Sequence, residues 1–539
     1  MTSQSAGPKT FNPLLAYDQQ TLTLSDCMMG HLIRINRQTQ QAEPELAQSW
    51  KISEDGQVLT FNLRAGVKFS DGHPFTADDV LFTFEVLSDP EVNSAVSDVF
   101  RLGGKKVTAG KINDYTVRFA FPSVYAAAER LFDAAPILPK HVLEQPYRDG
   151  KFQQAWNLST RPGEIPALGP FKLKTYIPGQ RTILTRNANY WKADPTGKKL
   201  PYLDEIVFDI DPDKNTRLLK FQKGQTDLLS PVGVEDLNSL SELENDGKIR
   251  VVSLGPSLIR EIFWFNLNER INPNTQKPVV DPVKLRWFKE ERFRQAISHA
   301  IDRDAIVRLV FFGRASPLWS FASPGNKAWF NADVKKYPYD LGQAKRLLLD
   351  AGFRYGAEPA KSLLDPEGNP VEFTLSTNAG NVLRQKMSAT IQEDLAKIGI
   401  KVHLSFLESR ALLANINDSY DYEACLLALV SGDTDPTSEK NFLLSNGTSH
   451  WWYPKQSAPA TPWEARIDGL MNRQAITRDL NERKRLFDEV QVTLSERLPF
   501  IFLVSRHLIV ASKSRIGNFK PAHLPDFVLW NCDQLYFRP

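Results

Sequence analysis

The chain has 539 residues, with 66 Lys and Arg against 63 Asp and Glu and a formal net charge of +3. A balance this even excludes a protein that depends on a large positive field, so we expect no nucleic-acid partner. Hydrophobic residues make up 42% of the chain and charged residues 24%, an ordinary globular composition with enough apolar material for several cores.

The apolar runs are too short to cross a bilayer. The longest, IVRLVFF and CLLALV, fall well below the roughly 18 residues that a membrane helix needs. The start, MTSQSAGPKTFNPLLA, has neither the basic nor the apolar region of a signal peptide. Two alternatives follow: the protein is cytoplasmic, or a targeting segment has been removed.

The three cysteines, Cys27, Cys425 and Cys532, are far apart in the sequence. They form neither a disulfide framework nor a CxxC metal site. Because free cysteine is among the most buried residue types, we expect buried free thiols, although one long-range bridge stays open.

The first clear elements form a hairpin at residues 46–64. In LAQSWKISEDGQVLTFNLR, apolar Leu59, Phe61 and Leu63 alternate with polar residues, as in a half-buried strand. The EDG triplet before this strand is typical of a turn. The pattern predicts strand, turn, strand.

An acidic stretch follows at residues 66–87, GVKFSDGHPFTADDVLFTFEVL. The SDG triplet is a turn signal, and Thr76 is a good helix N-cap with Asp78 and Asp79 in the first helical turn. His73 has no second histidine at ligand spacing in the sequence. We therefore interpret the stretch as a turn and a capped helix, not as a metal or catalytic cluster.

The next segments alternate strands and helices. Residues 168–191 predict two strands joined at Pro178-Gly179, and 211–229 predict a helix, a glycine stop and a short strand. Residues 262–269 read as a strand, 292–313 as a helix with one apolar face and a second helix that Asp302 caps, and 481–512 as a long helix and an apolar strand.

Residues 371–408 form a βαβ pattern. A strand at 373–376, a helix over 380–397 and a strand at 401–406 imply parallel pairing with a right-handed crossover. A ligand would sit at the carboxyl end of such a strand. This places Asn378 among the candidate binding residues.

Sequence signatures of catalysis and cofactor binding are missing. The chain has no GxSxG, GxxxxGK[ST], HExxH or GxGxxG pattern, and its eight histidines are scattered. We therefore predict no catalytic residues, no cofactor and no metal site, and a protein that is not an enzyme.

The candidate ligand site lies in LALVSGDTDPTSEKNFLLSNGTSHWWYP, residues 427–454. An apolar strand is followed by polar groups and then by bulky aromatics, which suits a pocket that orients a ligand and stacks on it. The alternative is that the aspartates only shape an Asx-type turn. The candidate residues are Ser431, Gly432, Asp433, Asp435, Trp451 and Trp452.

The segment LAQSWKISEDGQVLTFNLRAGVKFSDGHPFTADDVLFTFEVL closely resembles the signature of the family 5 extracellular solute-binding proteins. These are the receptors of oligopeptide, dipeptide and nickel ABC importers. The resemblance continues in order along nearly the whole chain, through the AIDR block at 300–303. It implies a two-lobed α/β fold of the periplasmic-binding-protein type (type II, the large class with an inserted subdomain).

The resemblance also implies the domain organisation. Lobe I would comprise residues 1–31, 170–262 and 506–539. An α+β subdomain, 32–169, would be inserted in it, and 263–505 would form lobe II.

In peptide-binding members of the family, an Asp in the loop matching 431–436 pairs with the terminal ammonium of the ligand. Aligning on Pro436 puts Gly432 at that position, whereas a loop one residue shorter gives the role to Asp433. A tryptophan face at 451–452 would suit a sugar ring or an apolar side chain. Arg260 would meet a carboxylate or lie at the surface.

The resemblance implies a receptor that captures a solute between its lobes by hinge closure and delivers it to the membrane subunits of an ABC permease. We expect a peptide ligand, a monomer, and a location in the periplasm or on the outer face of the membrane. The alternatives are a receptor for an oligosaccharide, an opine or a metal complex, and an enzyme or signalling protein on the same scaffold.

Overall fold

The computed structural model describes residues 1–92, 94, 96–102, 105–272, 275–356, 362–525 and 527–539. The chain divides into two units. Unit 1 comprises Met1–Ser253 and Ile509–Pro539, and unit 2 comprises Leu254–Leu508. The assignment of residues 32–169 to an inserted subdomain stays a prediction.

The helices have the following bounds: α1 Gln19–Met28, α2 Ala77–Ser88, α3 Lys140–Arg148, α4 Lys214–Gln222, α5 Leu237–Asn245, α6 Pro282–Lys289, α7 Glu291–Ala300, α8 Arg303–Ala305, α9 Leu341–Asp350, α10 Val382–Ala396, α11 Ser409–Ala414, α12 Lys440–Leu443, α13 Pro462–Ile476 and α14 Leu480–Arg497.

The strands have the following bounds: β1 Thr2–Gln4, β2 Ile33–Ile35, β3 Ala42–Pro44, β4 Ala47–Ile52, β5 Val58–Leu63, β6 Arg101–Leu102, β7 Lys105–Lys106, β8 Thr108–Asn113, β9 Thr116–Ala120, β10 Phe171–Ile177, β11 Arg181–Arg186, β12 Glu205–Ile210, β13 Leu228–Leu229, β14 Ile249–Pro256, β15 Arg260–Phe265, β16 Ala315–Pro317, β17 Arg354–Tyr355, β18 Leu363–Leu364, β19 Glu372–Asn378, β20 Lys401–Leu407, β21 Ala424–Leu429, β22 Ile501–Lys513, β23 Ile516–Gly517 and β24 Tyr536–Phe537.

Unit 1 contains two main sheets. The larger has the order β10-β11-β12-β1-β13, with residues 509–513 of β22 next to β13. The second has the order β4-β5-β9-β8, and all its neighbours are antiparallel. The predicted hairpin at 46–64 is confirmed as β4 and β5, and the strands predicted at 168–191 are confirmed as β10 and β11.

The acidic stretch of unit 1 folds as the capped helix α2. The Thr76 hydroxyl accepts a hydrogen bond from the Asp78 amide at 3.3 Å, and the Asp79 carboxylate accepts one from the Thr76 amide at 2.9 Å, so the capping box is complete. Gly72 in the preceding turn has a φ of 94°, where a side chain would be strained. The prediction of a turn and a capped helix is confirmed.

Unit 2 is built on a mixed sheet with the order β16-β22-β15-β21-β19-β20, where residues 501–508 of β22 take part. Strand β19 is parallel to both β20 and β21, and β15 is antiparallel to β21. The βαβ prediction for 371–408 is confirmed, with α10 as the crossover helix.

Aromatic side chains fill the core of unit 2. Phe265 on β15 lies 4.5 Å from Phe288 and 5.2 Å from Phe373, measured between ring centroids. The predicted apolar face at 292–301 is confirmed because its members are fully buried: Phe293, Ala296, Ile297, Ala300 and Ile301. Aromatic rings packed at these centroid distances stabilise the sheet that carries the site residues.

The three cysteines are buried, and none of them forms a disulfide. Burial raises the pKa of the Cys425 thiol far above its ordinary value. The prediction of buried free thiols is therefore confirmed.

Candidate ligand-binding site

The candidate residues gather at one edge of the unit 2 sheet. Parallel strands β19, β20 and β21 end at this edge, and antiparallel β15 begins there, because Arg260 is opposite Leu429. We call it the strand-end edge, defined by residues 260–261, 378–384, 407–408 and 430–440. Loops at such an edge carry many ligand sites because the strands hold them rigidly.

Arg260 lies at the strand-end edge but is 3% exposed. Its Nη2 donates to Ser431 Oγ at 2.7 Å and to Glu439 Oε1 at 3.1 Å, and the Ser431 hydroxyl also donates to Glu439. Its Nη1 donates to the Phe321 carbonyl oxygen at 3.2 Å. The guanidinium charge is therefore compensated inside unit 2.

A second buried ion pair lies beside the first. Arg384, in the first turn of α10, donates from Nε to Glu261 Oε2 at 3.1 Å and from Nη1 to Asn378 Oδ1 at 2.9 Å. Glu261 is 2% exposed. The pair fixes the orientation of the Asn378 amide, and both of its charges are compensated.

The two aspartates of the loop after β21 have different surroundings. Asp435 is 5% exposed, and its Oδ1 accepts from Arg483 Nη2 at 2.7 Å and from the Thr437 amide at 2.9 Å. Asp433 is only half-buried, and its Oδ1 accepts from the Thr434 amide at 2.6 Å. Of the two carboxylates, Asp433 is the accessible one.

Trp451 and Trp452 lie in the core of unit 2. The Trp451 ring stacks on Trp264 at a centroid distance of 5.1 Å and meets Phe442 edge-on at 5.3 Å. Trp452 is fully buried, and its Nε1 donates to Glu464 at 3.0 Å. Both rings are engaged in packing within the protein.

Glu464 organises the loop that carries the tryptophans. Burial by itself raises its pKa, but hydrogen bonds from His450, Gln456, Trp452 and Thr461 outweigh it and bring the pKa to about 2. A carboxylate that receives this many hydrogen bonds stays ionised although it is only 3% exposed.

Two features of this edge were missed by the sequence analysis. One is the pair of internal ion pairs, since Glu439 and Arg384 gave no local signal. The other is Lys440 at the start of α12, a half-buried amine whose pKa is lowered by burial. In the described part of the chain no carboxylate lies within ion-pair distance of Lys440, so its charge suits an incoming carboxylate. A lysine whose pKa is lowered by burial at such an edge is a candidate functional residue.

The structure brings some predicted site residues together and separates others. Arg260 and Ser431 are hydrogen-bonded at the strand-end edge, where Asn378, exposed Gly432 and half-buried Asp433 also lie. Asp435 caps a short 3-10 helix and faces inward. Ligand contact by any of these residues, and by Trp451 and Trp452, stays a prediction.

His73, in unit 1, does have a histidine neighbour in space. Its ring stacks on His141 with centroids 3.8 Å apart, and His141 Nε2 lies 2.7 Å from Asp71. Within the described ranges, no group of three or more His, Cys, Asp or Glu is placed to hold a metal ion. Among the same residues, no helix is both long enough and apolar enough to span a bilayer.

The fold and the polar loops at the strand-end edge define the class of solute-binding proteins. A probable ABC transporter-binding protein of Deinococcus radiodurans is 28% identical over an alignment of 529 positions that covers 94% of this chain and 87% of the relative. The oligopeptide-binding protein AppA of Bacillus subtilis is 26% identical over an alignment of 525 positions that covers 95% of this chain and 87% of AppA.

A solved structure with a similar fold belongs to the same kind of protein as these relatives. The ABC transporter substrate-binding protein CtaP of Listeria monocytogenes superposes with a TM-score of 0.79 at 25% identity, covering 100% of this chain and 98% of CtaP. The periplasmic-binding-protein fold predicted from the sequence is confirmed.

The profile of the bacterial extracellular solute-binding proteins, family 5 middle, matches residues 41–451. The chain belongs to this family. The resemblance noted in the sequence and the solute-binding function it implied are thereby confirmed.

Proposed function

We propose that the chain is the receptor of an ABC importer and that it binds a peptide at the strand-end edge of unit 2, with Asp433 as the anchor for the peptide's ammonium group. The observation that carries this proposal is the accessibility of Asp433, beside buried Asp435 and two compensated ion pairs. A carboxylate that hydrogen-bonds to an ammonium group in a partly desolvated site forms one of the stronger polar contacts available to a protein.

The surrounding charges favour this role for Asp433 over the other candidates. Arg260 is compensated by Glu439, and Glu261 is compensated by Arg384. Either pair would have to be broken before one member could serve a ligand, and breaking a buried ion pair costs about 3–5 kcal/mol. Asp433 is half-buried, so a ligand can reach its carboxylate from solvent without either of these pairs being broken.

Lys440 extends the proposal to the other end of the ligand. A peptide carries a carboxylate as well as an ammonium group, and Lys440 lies seven residues after Asp433 in the same loop and helix. Burial lowers the pKa of its amine, and a ligand carboxylate would stabilise the charged form. We therefore propose Lys440 as the second charged contact.

The tryptophans support this site indirectly. Because Trp452 and Trp451 pack in the core, we propose that they hold the loop 444–461 in place and do not stack on the ligand. The relatives named for peptide binding support a peptide over a sugar, although a sugar, an opine or a metal complex would use the same edge.

We also propose the partner, the oligomeric state and the location of this receptor. The partner is the membrane part of an ABC permease, the receptor acts as a monomer in the periplasm or on the outer face of the membrane, and it returns its ligand unchanged. We also propose that lobe I comprises residues 1–31, 170–262 and 506–539, that residues 32–169 form a subdomain inserted in it, and that residues 263–505 form lobe II. The ligand would be captured by hinge closure.

Native mass spectrometry of freshly purified protein tests the proposal, followed by denaturation and identification of what is released. Intact peptides would support it. A released sugar, opine or metal complex would overturn the peptide ligand and keep the receptor. Products of hydrolysis or transfer, appearing on incubation with the released compound, would indicate an enzyme.

A further inference from the structure

Unit 1 contains a pocket of about 600 Å³ that the solute-binding site does not use. It lies between the turn that follows β5 and the segment 188–199. Among its described lining residues there is no Asp or Glu, whereas three are cationic. The polar and aromatic members are Gln48, Arg64, Lys68, Asn189, Tyr190, Trp191 and Lys199.

Arg64 is the central cation of this pocket. Its Nε donates to the Glu45 carbonyl oxygen at 2.6 Å, and its guanidinium lies 4.3 Å above the centroid of the Trp191 ring. In the described part of the chain, neither Nη group has a hydrogen-bond acceptor. The side chain is half-buried, and burial lowers the pKa of its guanidinium. The Glu45 carboxylate offsets only part of this desolvation, and both Nη groups still lack an acceptor in that part of the chain, so a bound anion would offset the remaining cost.

The two lysines of the pocket add to the same field. Lys68 and Lys199 are exposed, and no carboxylate in the described ranges lies within ion-pair distance of either. Some other lysines of unit 1 have carboxylate partners: Lys111, Lys140, Lys174, Lys214, Lys220 and Lys248. The Lys192 Nζ lies 5.3 Å from the Trp191 centroid and contributes a further positive charge.

The backbone of the turn offers additional donors. Gly66 has a φ of 78°, the left-handed region that a tight turn requires here. The amides of Ala65 and Gly66 donate to no carbonyl or side-chain oxygen in the described part of the chain. Successive amides at such a turn are a common component of anion-binding concavities.

From these groups we propose that the pocket binds a phosphate-class oxyanion, either free in solution or as the head group of an anionic lipid. The Nη groups of Arg64 supply a planar fork that matches two phosphate oxygens, and Lys68 and Lys199 neutralise the remaining charge. The neutral walls, Gln48, Asn189 and the Trp191 ring, put no negative charge against the anion. This site is independent of the peptide site in unit 2.

The test is a titration of the full chain with inorganic phosphate by isothermal titration calorimetry, at an ionic strength held constant with sodium chloride. The proposal predicts saturable binding. In the Lys68→Gln/Lys199→Gln variant, the affinity should fall about ten-fold, since two charge-assisted contacts are lost. Both lysines are exposed, so the fold should be retained, as circular dichroism would verify.

The matched control is Lys9→Gln/Lys151→Gln, which removes the same charge from two exposed lysines outside the pocket. Its phosphate affinity should stay within two-fold of the unmodified chain. An equal loss in the control would mean a general charge effect and would overturn the site.

A second arm separates the two sources of the oxyanion. Flotation with vesicles of phosphatidylcholine, with and without phosphatidylglycerol, reports on a lipid head group. Phosphate binding without flotation supports a free anion, and Lys68/Lys199-dependent flotation with phosphatidylglycerol alone supports a lipid. If neither inorganic phosphate nor anionic vesicles bind, the proposal is wrong.

Discussion

Two acidic stretches of this chain look alike in the sequence and fold by different means. In the stretch at 66–87, Asp79 bonds to an amide three residues away. In the stretch at 427–454, Asp435 is held by Arg483, 48 residues away, and Glu439 by Arg260, 179 residues away. The helix cap of the first stretch is predictable because it is local, although Asp79 also accepts from the distant Lys140 amide at 3.0 Å. In the second stretch the carboxylates are compensated by distant arginines that the sequence does not reveal.

The largest expected effect on stability comes from breaking the ion pair between Asp435 and Arg483. Asp435→Ala leaves the buried Arg483 guanidinium without its carboxylate, so we expect a loss of about 4 kcal/mol in the free energy of unfolding. Urea denaturation followed by circular dichroism measures it. Asp433→Ala is the matched control, because that carboxylate is half-buried, and should cost less than about 1 kcal/mol. Equal losses in the two variants would show that the buried ion pair of Asp435 stabilises the fold no more than half-buried Asp433 does.

Glu464 gives the next effect, and it depends on pH. Its folded-state pKa of about 2 lies below the ordinary 4.5, so its ionised form stabilises the fold above pH 4.5 and the contribution is lost as the pH falls towards 2. The shift corresponds to about 3 kcal/mol. Glu464→Gln should lose a similar amount at pH 7 and flatten the dependence of stability on pH between 4.5 and 2.

The control for Glu464 is Glu393→Gln, which changes an exposed glutamate on α10. It should leave both the stability at pH 7 and the loss of stability between pH 4.5 and 2 unchanged. If Glu464→Gln loses stability over this pH range as steeply as the unmodified chain, other groups control the acid dependence.

The smallest effect belongs to the local stretch. Thr76→Ala removes the hydroxyl that accepts from the first turn of α2 and should cost about 1 kcal/mol. Thr76→Ser keeps the hydroxyl and should restore most of the stability in the same urea measurement. If serine and alanine behave alike, the cap contributes nothing measurable.

Much of the fold could be predicted because its signals are local. Alternation at Leu59, Phe61 and Leu63 identifies β5, and the strand–helix–strand pattern at 371–408 identifies parallel β19 and β20. These patterns depend on neighbours in the sequence, and tertiary packing did not override them.

The candidate site was less predictable for a physical reason. The sequence analysis identifies Arg260 as a candidate, but only the fold reveals that Glu439 compensates it and that Arg384 pairs with Glu261 beside it. It also gives Trp451 and Trp452 as bulky aromatics after a polar loop, a pattern shared by ligand platforms and by core residues. Burial decides between these two roles, and burial is set by the packing of the whole unit.

We propose that Asp433 holds the ammonium group of a peptide. The most direct measurement is a calorimetric titration of the unmodified chain and of Asp433→Asn. Each protein is titrated with a peptide that the purified protein was found to bind, and with the N-acetylated form of that peptide. If the claim holds, acetylation weakens binding to the unmodified chain about ten-fold or more and changes little in Asp433→Asn, because the same contact is already lost. Equal losses on acetylation in both proteins would contradict it.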